Sequence, residues 1–347
     1  MPRALTADGF RLLGSAILLV ALEFFRTVGS LAAAAPAKYV VGYATHTARV
    51  LPLWLAGEQG FYLKNGIDID PVFIRGAPTL IAGLAAGSIA MGRTGGPATL
   101  GAVSAGHDFK IVATFSSHNT YDLVVRPNIK RAEDLRGKTF AVTSIGGTSW
   151  MGVLLWLEHL GLDQQRDNIR FQVIGDQAVQ VQCVVNALCD AAAVDGVFTK
   201  QLKSKGMNVL GEYSDLKAAL VSQAVVVPGA LLQQHPEIPE NYIKGEIEAL
   251  AFSLAPKNKP AVIKSLMHNL KIDSSSAEDA YQDLLRGLDR KPVPSLDGMR
   301  NVQRLLKLRN PKIGEVKAED IIDNRIMRKL EDSGFIERVY ATSGAKL

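Results

Sequence analysis

Three short loops rich in glycine and hydroxyl side chains hold the residues best suited to chemistry. They are Gly76-Ala77-Pro78-Thr79, Gly92-Arg93-Thr94-Gly95-Gly96-Pro97 and Ser144-Ile145-Gly146-Gly147-Thr148-Ser149. Each closes a hydrophobic run and opens a helical one. A helix start presents N–H groups without intrahelical partners, and its dipole favours negative charge. Gly95 and Gly96, at such a junction, admit close approach of a ligand to the backbone, and Gly76 and Gly147 hold the corresponding places in the other loops. Thr79, Thr94, Thr148 and Ser149 add hydroxyls that cap a helix, hold an oxyanion, or do both.

Further candidates flank these loops. Thr45, His46 and Thr47 follow the first strand, with His46 equally suited to the pocket or to a structural hydrogen bond. Arg93, read as lying just past the third strand, offers a guanidinium fork to a carboxylate or sulfonate, or else a solvated charge on the rim. Ser116 closes another strand, and Asp195 stands at the matching strand end of the second half, placed for a ligand amine or a basic hinge residue. Trp150 and Trp156 fall on different faces of one helix, Trp150 toward the cleft and Trp156 toward the core.

No catalytic apparatus accompanies these residues. Ser149 has no G-x-S-x-G context, and His107, His118 and His159 show no triad spacing. The glycine-rich loops match neither G-x-G-x-x-G nor a P-loop with its lysine, and no metal-ligand cluster is spaced along the chain. The expectation is a cleft that binds a small anionic solute, without cofactor, metal or catalytic residues.

The elements that must position this cleft alternate. Strands at 39–42, 67–74, 89–91 and 111–115 are separated by helices at 51–59, 79–86 and 97–105. A β-rich stretch at 121–125 runs into Arg126-Pro127-Asn128, where a crossing is expected. A second series follows: strands at 139–143, 169–174, 191–194 and 208–210, with helices at 149–160, 179–188 and 198–205. The run 221–227 returns the chain, and from Glu240 onward the periodicity is helical. Such βαβα order implies parallel sheets with a ligand crevice at the carboxyl ends of the strands. The segments Gly83–Ala90 and Asn186–Ala192 echo each other, each leading from a helix into a buried strand.

Met1–Ala37 has the marks of a signal peptide: Arg3 and Arg11, the apolar run Leu12–Leu22, and Ala35-Pro36-Ala37 before Lys38. That run is too short to span a bilayer. The expected product is a soluble periplasmic protein cleaved near Ala37. The remaining ~310 residues exceed one typical core and suggest two lobes. The net charge of +5 is scattered without basic runs, which gives no support to nucleic-acid binding. Cys183 and Cys189, six apart in a helical stretch, point about 120° away from each other, so a bridge requires the helix to end between them. Two small buried thiols are the expectation.

Leu51–Asp70 (LPLWLAGEQGFYLKNGIDID), Pro78–Gly92 and Leu135–Ser149 (LRGKTFAVTSIGGTS), with Leu330–Ile336 near the end, resemble periplasmic substrate-binding proteins of nitrate/sulfonate/taurine-type ABC transporters. That group also includes the thiamine-precursor-synthase-like proteins, whose cysteine-rich iron-binding signature is absent. The resemblance implies a type II periplasmic-binding-protein fold: two α/β lobes, a two-segment hinge and a helical C-terminal tail. It further implies a monomeric receptor that delivers its ligand to an ABC permease. Lobe 1 is expected at 38–126 plus 222–347 and lobe 2 at 127–221, with bending near Arg126 and Val221.

Overall fold

The computed structural model describes residues 38–216 and 218–347; the expected signal peptide, Met1–Ala37, lies outside them. β1 (Lys38–Tyr43) leads through a 3-10 turn at Ala48–Val50 into α1 (Leu51–Glu58) and α2 (Phe61–Lys64). Then come β2 (Asp68–Phe73), α3 (Ala77–Ala85), β3 (Met91–Thr94), α4 (Gly96–Ser104) and β4 (Phe109–Thr114). The second series is β5 (Asp122–Val125), β6 (Thr139–Val142), α5 (Thr148–His159), β7 (Arg170–Val173), α6 (Gln177–Val185), β8 (Ala191–Val194), α7 (Gly196–Ser204) and β9 (Asn208–Gly211). The chain returns as β10 (Ala224–Pro228) and continues with α8 (Gly229–Gln234), α9 (Glu237–Leu254), α10 (Lys259–Leu270), α11 (Ser274–Gly287) and α12 (Leu296–Leu306). It closes with α13 (Ala318–Ile321), α14 (Arg325–Asp332) and α15 (Phe335–Ser343).

Two five-stranded sheets result, ordered β2-β1-β3-β10-β4 and β7-β6-β8-β5-β9. In each, four strands run in one direction and the fourth in order lies antiparallel between its neighbours. The echo between 83–90 and 186–192 thus marks equivalent places: α3 leads into β3 as α6 leads into β8. Both faces of these strands are covered, so β8 (Ala191–Val194) and Val225–Val227 are continuous apolar runs with no exposure. Prolines at the first turns of α1, α3 and α4 pre-set the helical φ where no N–H is needed.

β5 belongs to the second sheet, pairing with β8 and β9. The first crossing therefore precedes it, rather than following at Arg126. The two crossing segments are hydrogen-bonded to each other: Phe115 N to Gln223 O (2.7 Å), Ser222 N to Ser116 O (3.0 Å), Leu220 N to Ser117 O (2.9 Å) and Asn119 N to Ala218 O (2.8 Å).

Cys183 and Cys189 are joined in a disulfide, contrary to the expectation of free thiols. α6 ends at Val185, three residues short of the expected end. Ala187 adopts φ 60°, and the N–H groups of Leu188 and Cys189 both donate to Cys183 O, folding the chain back. The Cα–Cα separation of 5.2 Å is within the range a disulfide spans.

Candidate functional site

The three loops meet. Gly76, Gly95 and Gly147 are the N-cap residues of α3, α4 and α5, and none of these helices is capped by a side chain. Ala77, Gly95, Gly147 and Thr148 line one small cavity between the two sheets. Its remaining walls are Ala44 and Thr45 after β1, Thr94 at the end of β3, Thr143 and Ser144 after β6, and Ser222 and Gln223 from the returning crossing. The volume open to a water centre is about 10 Å³, roughly one water. A Cβ on Gly95 would overlap Thr148 Cγ2, so only glycine admits this closeness. Larger grooves lie on the outside; the ~540 Å³ one between Phe61, Phe252 and Phe335 has no unpartnered buried polar side chain on its walls.

The polarity of the walls points to a ligand. Thr94 Oγ1, Ser144 Oγ and Ser222 Oγ are buried without hydrogen-bond partners, which is uncommon in a folded interior. Thr45 Oγ1 accepts from Gln223 Nε2 (3.1 Å), and Thr148 Oγ1 accepts from the Tyr121 hydroxyl (3.2 Å). Every side chain on the walls is uncharged. Hydroxyls and helix-start N–H groups can satisfy an oxyanion's lone pairs without a counter-charge.

Among the expected contacts, Thr45, Thr94, Gly95, Gly147 and Thr148 line the cavity, and Gly76 lies beside it, its Cβ direction 3.7 Å from Ser144 Cβ. Ser116 is buried behind Ser222 with an unpartnered hydroxyl. Gly96 donates its N–H to Val221 O and packs on that side chain. Thr79 is exposed one turn into α3. Ser149 is turned to Thr143, whose Oγ1 and N–H it bonds. His46 bonds Asn269 O (2.9 Å) and packs among Tyr43, Trp54 and Phe73, a structural role. Trp150 is buried against Phe171 with Arg309 over its ring, not in the cleft.

Arg93 is the largest correction. β3 runs to Thr94 rather than ending at Met91, so Arg93 is a strand residue facing the core. It pairs with Glu246 of α9, both side chains fully buried, and its guanidinium lies 4.2 Å from the Phe115 ring centroid. Tyr242 donates to the same carboxylate. Burial pushes Glu246 above the usual carboxylate range, while Arg93 opposes the shift. Arg93 holds structure, not ligand.

Asp195 likewise faces a protein cation instead of solute. Arg49 Nη1 stands 2.6 Å from Asp195 Oδ1, and Gln177 clamps Asp195 by donating to Oδ2 (3.1 Å) and accepting its N–H (2.7 Å). Desolvation pushes this carboxyl up to about 6, with Arg49 pulling it down and Asp283 pushing it up. Thr47, buried beside this carboxylate, belongs to the same cluster and not to the cavity wall.

Residues 47–253 match the family described as NMT1/THI5 like. The chain belongs to that family. A curated relative, riboflavin-binding protein RibY of Chloroflexus aurantiacus, is 25% identical over 212 residues, 59% of this chain and 58% of RibY. This chain thus matches less than two thirds of that relative's length. Among solved structures, the alkanesulfonate-binding protein SsuA from Xanthomonas axonopodis pv. citri bound to MOPS is similar at TM-score 0.69, with 20% identity, covering 84% of this chain and 99% of SsuA. The periplasmic nitrate-binding protein NrtA from Synechocystis PCC 6803 is similar at TM-score 0.70 and 16% identity, covering 85% and 88%. At these identities the structures establish the fold: a periplasmic-binding-protein architecture with a helical C-terminal region.

Proposed function

We propose that this chain is the extracytoplasmic solute receptor of an ABC importer, capturing a small solute with an oxyanion head group between two lobes. The observation that carries this reading is the cavity itself: the starts of three helices and three unpartnered buried hydroxyls, contributed from both sheets, meet at one water-sized space. A chain that only needed a packed interior would fill that space or pair those groups. The sulfonate- and nitrate-binding names of similar structures and the riboflavin-binding relative are in keeping with a small-solute receptor.

In this reading lobe 1 holds the first sheet and the C-terminal helices, and lobe 2 the second. The lobes part about the two crossing segments to admit solute, then close. The protein acts as a monomer with a permease as its partner. Residues 1–37 direct export, a disulfide being suited to an oxidising compartment. Intact-mass measurement of the exported protein is expected to give an N-terminus near Lys38; full-length protein held in membrane would contradict this.

The functional test is a thermal-shift screen against nitrate, alkanesulfonates, carboxylates, pyrimidines and riboflavin. A solute at 100 times its Kd adds about 2.7 kcal/mol of stability. Stabilisation by an oxyanion-bearing solute, lost in Ser144→Ala or Thr94→Val, supports the proposal. Stabilisation by cationic solutes alone would overturn it.

A further inference from the structure

One buried cluster lies outside the cavity and is unbalanced in charge. Arg49, in the 3-10 turn after β1, is 1% exposed; its Nη1 meets Asp195 at the end of β8, and its Nη2 donates to Thr120 O (3.1 Å) and lies 3.7 Å from Asp283 of α11. Asp195 is 2% and Asp283 4% exposed. Two glycines make room: a Cβ on Gly287 would stand 2.6 Å from Arg49 Nε, and one on Gly196 2.7 Å from Asp283 Oδ1. The cluster therefore joins the first sheet's connection to the second sheet's strand end, with two carboxylates on one guanidinium.

Its surroundings add no second buried cation. Tyr121 lies under Arg49, its ring centroid 5.5 Å away. Asp122 of β5 adds a third carboxylate nearby, held by Thr199 Oγ1 (2.8 Å) and Tyr213 N (2.8 Å). Gln177 of α6 is neutral. Of the cations on the packed helices only Arg286 reaches the cluster, 4.0 Å from Asp283 and more than half exposed, while Lys200 pairs with Asp279 and Lys259 with Glu278.

We propose that Arg49, Asp195 and Asp283 form a proton-linked latch: closing the two lobes buries two carboxylates on one guanidinium and takes up a proton. This rests on the receptor reading, because it requires lobes that open and close. Arg49 is a positioning residue here, holding the seam without touching solute. The sign follows from solvation. In the closed seam Asp195 is pushed up to about 6, whereas a carboxylate freed into water by opening titrates near 4. The closed form thus binds the proton more tightly, and acidification between those values favours closure. The closed-to-open ratio should rise about tenfold from pH 7.5 to pH 5.0.

The test needs no solute, so it is independent of what the cleft binds. Cysteines placed at the exposed Val72 and Val173, near the ends of β2 and β7 on opposite sheets, carry a fluorophore pair, and single-molecule energy transfer counts closed and open molecules against pH. The expected result is the tenfold rise, with a profile flattened in Asp195→Asn. Asp283→Asn, a second route to the same charge count, should shift the midpoint downward. Burial also raises the Asp289 carboxyl at the crossing, and the Asp195→Asn profile separates the two. An equal ratio at pH 5.0 and 7.5 in the wild-type pairing, or a full pH response retained in Asp195→Asn, would overturn the latch.

Discussion

Removing the Arg93 guanidinium should damage the fold and not the cleft. In Arg93→Ala the Glu246 carboxylate, with no exposure, keeps only the Tyr242 hydroxyl as a partner. It escapes by binding a proton. From an ordinary value of 4.5, protonation at pH 7 costs about 1.4 kcal/mol per unit, roughly 3 kcal/mol in all. The lost contact with Phe115 and the space left by the side chain bring the total to about 3–5 kcal/mol, the usual cost of breaking a buried pair. For a chain of this length that is a fall in Tm of roughly 5–8 °C. The pH dependence is a sharper mark. With its carboxyl raised in the folded variant, stability is present at low pH and lost as pH rises, so the deficit should shrink by about 1.4 kcal/mol per unit on going from pH 7 toward 4.5. Arg93→Met with Glu246→Gln, which removes both charges and leaves Tyr242 an acceptor, should recover most of the loss. Calorimetry of the three proteins at pH 5 and 7 measures all of this. A single variant within 1 kcal/mol of wild type at both values, with solute binding abolished, would return Arg93 to the cleft and refute the reasoning.

Gly95→Ala should hold the lobes apart, since the new methyl overlaps Thr148 Cγ2 across the cavity; solute affinity should fall at least tenfold and small-angle scattering with saturating solute should show less contraction than wild type. Replacing Cys183 and Cys189 with serine frees a short loop and should lower stability by about 2 kcal/mol, read by urea unfolding; an unchanged midpoint would mean the unfolded chain is already constrained there.

Much of the architecture is written in periodicity. Alternating strands and helices gave both sheets, because the central strands are short and mostly apolar, and glycine turns such as Gly87 and Gly175, both at positive φ, punctuate the chain. The cavity was visible wherever a glycine and a hydroxyl share a strand-to-helix junction, as at Thr94-Gly95 and Gly147-Thr148. Ser222 and Gln223 carry no such mark: they precede a β-branched run and reach the cavity only because the crossing folds there. Arg93 was misplaced by three residues of strand end, enough to turn it from solvent to core. Its partner left a trace, since Glu246 sits on the apolar stripe of Ile243, Ile247 and Leu250, where an unpaired carboxylate is not tolerated. Arg49 left none, its value depending on Asp195 and Asp283, which are 146 and 234 positions away in the chain.

The bond between Asn119 N and Ala218 O joins the outgoing chain to the incoming one. Everything in the second sheet, from β5 to β9, is therefore inserted through a doorway whose two jambs touch. A segment with adjoining ends behaves as a cassette. It can be cut out and its stumps joined by a short turn, exchanged for the matching segment of a relative, or given new termini within itself, without displacing β4 or β10. Ligand preference in such a scaffold is open to change by recombination as well as by point substitution, because one wall of the cavity travels with the cassette and the rest stays behind.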